Sequence, residues 1–146
     1  MRSGSLVGAL FVMLAAVPAL GQALPAGRVK IVSGTAFVVR DEKAMPAQVG
    51  MALFEADSLR TGGNGHLGVT LKDDTRISLG PASEVRLDRF IYAPAESRFG
   101  VVLRLVHGVA AYVSGRIAKL APDSIRLETP AAIVGIRGTT LVLRSE

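Results

Sequence analysis

The feature that most constrains the fold is a period-two alternation of apolar and polar residues that recurs along most of the chain. Such alternation places successive side chains on opposite faces of a strand, so that one face is buried and the other meets water. Apolar residues alternate in eight short runs: Val29/Ile31, Phe37/Val39, Leu67/Val69/Leu71, Ile77/Leu79, Val85/Leu87, Leu103/Leu105, Ile125/Leu127 and Leu141/Leu143. The pattern predicts a chain built from short β-strands.

Turn signals separate these runs at spacings of roughly 8 to 12 residues, which is typical of all-β folds. Asp73-Asp74 predicts a tight hairpin, because Asp tolerates left-handed backbone, and we expect both carboxylates to be solvated there. No run after residue 24 has a helical period. The chain of 146 residues is long enough for one core. We therefore expect a single all-β domain, arranged as a β-roll, a solenoid-like stack or a sandwich.

The amino terminus has the three parts of a secretory signal. Arg2 precedes an uncharged apolar run over residues 6–20, and small residues at Gly21 and Ala23 follow it. Pro18 and the length of the run, shorter than the roughly 20 residues of a membrane helix, favour a signal over an anchor. We expect a signal peptide over residues 1–23, a mature domain over residues 24–146, no membrane span after cleavage, and a periplasmic or secreted location.

Composition narrows the possible chemistry. The chain has no cysteine, so disulfides, thiolate chemistry and Cys-based zinc sites are excluded. Its net charge is +5, yet the arginines are scattered and there is no Trp, so nucleic-acid binding is not expected. His66 and His107 lack metal-ligand spacing, and no nucleophile elbow or phosphate-binding loop occurs. We expect no enzyme activity, no metal and no cofactor.

Several blocks of residues are similar to the FecR domain, the periplasmic signal-receiving part of ferric-citrate-type transmembrane regulators. The last block is the most specific and reads Thr-Pro-Ala-Ala-Ile-Val-Gly-Ile-Arg-Gly-Thr-Thr over residues 129–140. The other blocks cover residues 27–29, 33–36, 39–40, 50–53, 56–62, 71–77 with Ser83, and 105–108. The candidate site residues within all the blocks are Asp57, Thr61, Gly62, Asp73, Gly108, Thr129, Pro130, Gly135, Arg137, Gly138 and Thr139.

These motif residues have structural interpretations. Asp57 fits a turn in which its side chain caps backbone N–H groups. Pro130 is expected at the first residue of a strand or at an edge, because proline cannot donate to a ladder. Gly135 and Gly138 bracket Arg137 and predict a bend that directs its side chain. We expect Arg137 to clamp backbone carbonyls or an acid such as Asp57 or Glu128; presentation to an anionic ligand is the alternative.

The resemblance implies a fold and a compartment. Only a few residues precede the apolar run, so we expect no anti-sigma segment. The first hypothesis is a non-enzymatic interaction domain that binds an envelope protein or an anionic envelope component. The second is an accessory protein that modulates a sigma/anti-sigma pathway, and the third is an enzyme of unrecognised type.

Overall fold

The computed structural model describes residue 4, residues 24–136 and residues 138–146. The expected signal peptide, apart from residue 4, and Arg137 lie outside the described residues. Twelve strands cross the described part: β1 Gly27–Ser33, β2 Ala36–Arg40, β3 Lys43–Pro46, β4 Ala52–Leu53, β5 Ser58–Thr61, β6 His66–Leu71, β7 Arg76–Leu79, β8 Glu84–Ala93, β9 Arg98–Val113, β10 Ile125–Glu128, β11 Ile133–Gly135 and β12 Thr140–Ser145. The predicted all-β class is confirmed.

The strands form one curled sheet in the order β3-β2-β5-β8-β9-β7-β6-β1-β4. β9 is 16 residues long and is shared by the two halves of this sheet. Its first half pairs with β8 and β10, and its second half pairs with β7 and β12. The β9–β10 pair is parallel, whereas β8, β7 and β12 run antiparallel to β9. The sheet therefore turns about β9 and encloses a hydrophobic core.

The core combines inward-facing members of the alternating runs with residues outside them, such as Leu53 and Ile117. Its largest fully buried apolar side chains are Leu53, Leu67, Leu105, Ile117, Leu127, Val29, Val38, Val69 and Val101. Leu141 and Leu143 on β12 are partly buried against the same cluster. Each buried aliphatic side chain contributes about 1.5–3 kcal/mol relative to full exposure, so these rows supply most of the driving force for folding.

Two alternating runs differ from the prediction. Ile31 is exposed, because the register of β1 against β6 shifts between Val29 and Ile31 and turns the side chain outward. In β2 the fully buried residue is Val38, while Phe37 and Val39 are half-buried. The run Ala-Phe-Val-Val is apolar throughout, so its alternation does not specify which residues face the core.

One short helix, α1 (Arg116–Leu120), follows β9, and single 3-10 turns lie at Pro94–Glu96 and Pro122–Ser124. The helix buries Ile117 in the core. Five residues are too few for a helical period to be detected in the sequence. Gly115 is the residue that precedes the helix. None of the helices in the described residues has the length and apolar character that crossing a membrane requires.

Candidate binding surface

The first motif residue, Asp57, lies buried in a clamp formed by Arg40 and a backbone turn. The Arg40 Nε and Nη2 atoms donate to the two carboxylate oxygens at 2.9 and 2.7 Å. The N–H of Phe54 donates to the same carboxylate at 2.8 Å. The hydrogen bonds that Arg40 itself donates to Asp57 raise the pKa of Arg40 above its ordinary value. The clamp joins the end of β2 to the turn before β5, and Asp57 acts as a backbone cap there.

A second cluster lies at the junction of the two sheet halves, around Thr61, Ser83 and Gly108. The Thr61 hydroxyl donates to the carbonyl of Gly80 at 2.6 Å and accepts from the N–H of Ser83 at 2.9 Å. The Ser83 hydroxyl accepts from the N–H of Val109 at 2.9 Å. Gly108 has a φ of +92°, and a Cβ placed there would collide with Ser83. The cluster therefore requires glycine at the point where β9 passes from one half to the other.

Gly62 belongs to a neighbouring turn. Its N–H donates to the carbonyl of Thr35, and its own carbonyl accepts from the N–H groups of Gly65 and Ala82. A Cβ at Gly62 would come within 3.1 Å of the Thr35 side chain. This backbone network connects the β1–β2 turn, the β5–β6 turn and the segment before β8.

Asp73 differs from its prediction, since its carboxylate is buried and not solvated. One oxygen accepts from the Thr75 N–H at 3.2 Å, and the other accepts from the Thr75 hydroxyl at 2.7 Å and from the Ile117 N–H at 3.3 Å. The prediction fails because α1 packs over the hairpin and supplies a backbone donor from 44 residues away. Asp74 remains exposed, pairs with Arg116 at 3.1 Å and has the left-handed φ of +69° that the hairpin needs.

The carboxy-terminal motif block differs from the preceding ones, because most of its described residues lie on the surface. Thr129 closes the turn between β10 and β11, where its hydroxyl accepts from the N–H of Ala132 at 3.1 Å. Pro130 is exposed within that turn rather than at a strand. Gly135 and Gly138 are exposed, and a Cβ at either would meet nothing within 4 Å. Crowding therefore does not account for these glycines.

The bend predicted near Gly138 is present, since that residue has a φ of +104°. The carbonyls of Gly138 and of Thr139, which is also exposed, accept hydrogen bonds from Ser114. The predicted role of Arg137 falls outside the described residues and stays a prediction. Of its two suggested partners, Asp57 is held by Arg40, and the carboxylate of Glu128 lies 3.2 Å from Arg104.

Two clefts flank β11. The first has a volume of about 460 Å³ and lies between the segment around Asp123, the β11–β12 connection and Leu141. The second, of about 370 Å³, lies on the outer face between β9, β10 and β11. In the described part of the chain β11 pairs only with β10, and β12 pairs only with β9. Both strands therefore present a free edge beside the clefts, and free edges are where proteins add further strands.

Exposed apolar side chains accompany these edges. Ile133 on β11 and Val142 on β12 are both largely solvent-accessible. Interfaces between proteins combine apolar centres with arginine and a polar rim, and exposed aliphatic side chains such as Ile133, which lines the second cleft, fit that composition. We define the carboxy-terminal surface as β10, β11, β12 and the two clefts.

The outer face beside this surface carries a ladder of ion pairs across β5, β8, β9 and β10. Arg60 pairs with Glu84 at 3.1 Å, and Glu84 lies 3.5 Å from His107. A second row contains Arg86–Asp88 at 2.7 Å, Arg104–Asp88 at 3.3 Å, Arg104–Glu128 at 3.2 Å and Arg126–Glu128 at 3.8 Å. Exposed pairs of this kind contribute only about 0–1 kcal/mol each. Four of the scattered arginines, Arg60, Arg86, Arg104 and Arg126, thus lie on one face.

The described residues contain no group of three or more His, Cys, Asp or Glu side chains that is arranged to hold a metal. The buried polar residues Asp57, Asp73, Thr61 and Ser83 are engaged with donors and acceptors of the fold itself. Their partners Arg40 and Thr75 were not among the predicted site residues. Both lie within motif blocks, but only the fold reveals which acid each of them contacts.

Comparison with known proteins gives one family. A family model described as FecR protein matches residues 57–146, which is more than half of the chain and includes the carboxy-terminal surface. No curated protein and no solved structure matches the chain.

Proposed function

This chain belongs to the FecR family, and on that premise we propose that it is a non-enzymatic envelope domain that binds a protein partner through the carboxy-terminal surface. The family is a regulatory and signalling one, and its domain is periplasmic in family members. A signal peptide over residues 1–23 that delivers residues 24–146 to the periplasm is part of the proposal.

The observation that carries the proposal is the contrast between the motif blocks. Asp57, Thr61 and Asp73 are buried and satisfy backbone donors and acceptors, so packing explains their presence. Gly135 is exposed, is not among the glycines with a positive φ, and meets no neighbour that excludes a side chain, whereas the φ of +104° at Gly138 itself favours glycine. A partner that approaches the backbone closely would explain glycine at position 135, because glycine permits such an approach.

The edge strands support the same interpretation. β11 and β12 end the two halves of the sheet in the described residues, and the exposed Ile133 and Val142 lie on them. Burying one aliphatic side chain contributes about 1.5–3 kcal/mol, which corresponds to roughly a tenfold or greater change in affinity. Two such side chains suit a regulatory interaction that has to be reversible.

The test uses a double variant, Ile133→Ser with Val142→Ser, and a matched control. Ile31 and Val49 are similarly exposed, at 63% and 68% against 69% and 62%, and they lie on or beside β1 and β4, several strands away from β12. The control is Ile31→Ser with Val49→Ser. Each tagged protein is expressed in its native host and crosslinked, and the co-purified envelope proteins are quantified by mass spectrometry.

We expect a specific protein that is captured by the wild type and by the control, and whose capture falls at least about tenfold in the Ile133/Val142 variant. Circular dichroism and thermal melts of the purified variants check that the fold is kept. Equal capture by all three proteins, or equal loss in the control, would contradict the proposal.

A further inference from the structure

The second cleft beside β11 has an unusual distribution of charge. Its two sides carry Arg89 from β8 and Arg126 from β10, and Gly100 and Val102 of β9 form its floor. Arg89 and Arg126 lie on one row, since both pair in register with Val102. Two strand spacings place their Cα atoms about 10 Å apart. The row therefore presents one cation on each side of an apolar floor.

Gly100 gives Arg89 its position. A Cβ at Gly100 would lie 3.2 Å from Nε and 3.7 Å from Cζ of Arg89, so the guanidinium group extends over the glycine. Asp88 already faces outward, and in a regular strand the next residue would face the core. The register shift in β8 between Leu87 and Arg89 lets Arg89 face outward as well. A bulge and a glycine thus place this exposed side chain along the side of the cleft.

The two cations are poorly neutralised within the fold. In the part of the chain that the structure describes, no carboxylate lies within ion-pair distance of Arg89. Arg126 approaches Glu128 only to 3.8 Å, and Glu128 also pairs with Arg104. Arg86 and Arg104 on the neighbouring row, in contrast, share Asp88 at 2.7 and 3.3 Å. One acid, Asp123, lines the cleft.

We propose that this cleft binds an acidic segment of a protein partner, with one carboxylate on Arg89 and a second on Arg126. The inference rests on the proposed function and names the chemistry of the partner. Arginine is the side chain suited to bidentate capture of carboxylates. The exposed Ile133 and the half-buried Phe99 line the same cleft, so an acidic segment with apolar neighbours complements it in charge and in polarity.

The experiment measures binding of a fluorescein-labelled ten-residue peptide of alternating Glu and Ser to the purified full chain, by fluorescence polarisation. A peptide with Gln in place of Glu is the control ligand. The test variant is Arg89→Gln with Arg126→Gln. The control variant is Arg60→Gln with Arg86→Gln, which removes the same charge from the same face at residues that already have acidic partners.

We expect the Glu peptide to bind at least about tenfold more tightly than the Gln peptide. The Arg89/Arg126 variant should lose about tenfold or more in affinity, and the Arg60/Arg86 variant no more than about threefold. Gly100→Ala keeps every charge but displaces Arg89, so it should lower the affinity for the Glu peptide several-fold. Thermal melts of this variant check that the fold is kept.

Three results would overturn the inference: equal affinity for the two peptides, equal losses in the two double variants, or binding to vesicles of anionic lipid with none to the Glu peptide. Capture of the envelope protein separates this inference from the proposed function. Capture that depends on Ile133 and Val142 but not on Arg89 and Arg126 would leave the proposed function standing. It would refute the inference that the cleft binds an acidic segment.

Discussion

The pair Asp73 and Asp74 offers a sharp test, because two adjacent residues of one type have opposite environments. The carboxylate of Asp73 is fully buried and accepts three hydrogen bonds, two from Thr75 and one from Ile117. Asp74 is exposed and makes one surface ion pair with Arg116. The perturbation is Asp73→Asn, with Asp74→Asn as the matched control.

The expected loss in the free energy of unfolding follows from the number of hydrogen-bond donors around residue 73. An asparagine amide has one acceptor oxygen and one donating nitrogen, so in either orientation at least one donor around residue 73 faces an NH₂ group. Leaving a buried donor unpaired costs about 1–3 kcal/mol. Asp74→Asn loses an exposed ion pair of about 0–1 kcal/mol, and Asn is well tolerated at the positive φ of this turn.

Urea unfolding of the purified proteins at pH 7, followed by circular dichroism, measures the two free energies. We expect Asp73→Asn to lower the free energy of unfolding by about 1–3 kcal/mol with an unchanged m value. The change for Asp74→Asn should be within about 1 kcal/mol. Equal midpoints for the two variants would refute the assignment of Asp73 as a cap between the β6–β7 hairpin and α1.

Three further predictions concern other parts of the chain. Arg40→Lys should lower the free energy of unfolding by about 1–3 kcal/mol, since an ammonium group cannot reproduce the two-pronged bond to buried Asp57, and urea melts measure the loss. Burial raises the pKa of Tyr112, whose buried hydroxyl has no well-oriented partner among the residues that the structure describes. The phenol therefore favours folding below its unfolded pKa of about 10, and this contribution is lost as the pH rises above it. Melts between pH 8 and 11 should show a smaller decline for Tyr112→Phe. Finally, intact mass of the periplasmic protein should give a chain that starts near Leu24, whereas the unprocessed chain recovered from cytosol would contradict export.

The alternation of apolar residues predicts most of the strands, because one buried face per strand imposes a period of two. The runs ending at Leu71, Leu79, Leu87, Leu105 and Leu127 all face the core as expected. Alternation does not reveal a bulge, so the pattern predicts the wrong face for Ile31. It also does not detect α1, which is a single turn held by tertiary contacts.

The candidate site was less predictable, since its geometry depends on contacts between distant residues. The partner of Asp57 is 17 residues away, and the helix donor to Asp73 is 44 residues away. Neither separation corresponds to a local spacing rule. The position of Arg89 over Gly100 likewise follows from a register shift that only strand pairing reveals. Residue types alone therefore indicate polar motifs, and the fold decides which of them are buried.

The central claim is that the carboxy-terminal surface, and no other face, receives a protein partner. Its most direct test places a photo-crosslinking amino acid singly at Ile133, Val142, Ile31 and Val49, four positions of similar exposure, of which Ile31 lies four strands away from Val142. The variants are irradiated in intact cells of the native host, and the crosslinked proteins are identified. We predict the same partner from positions 133 and 142 and none from 31 and 49. A partner crosslinked only from 31 or 49 would contradict the claim.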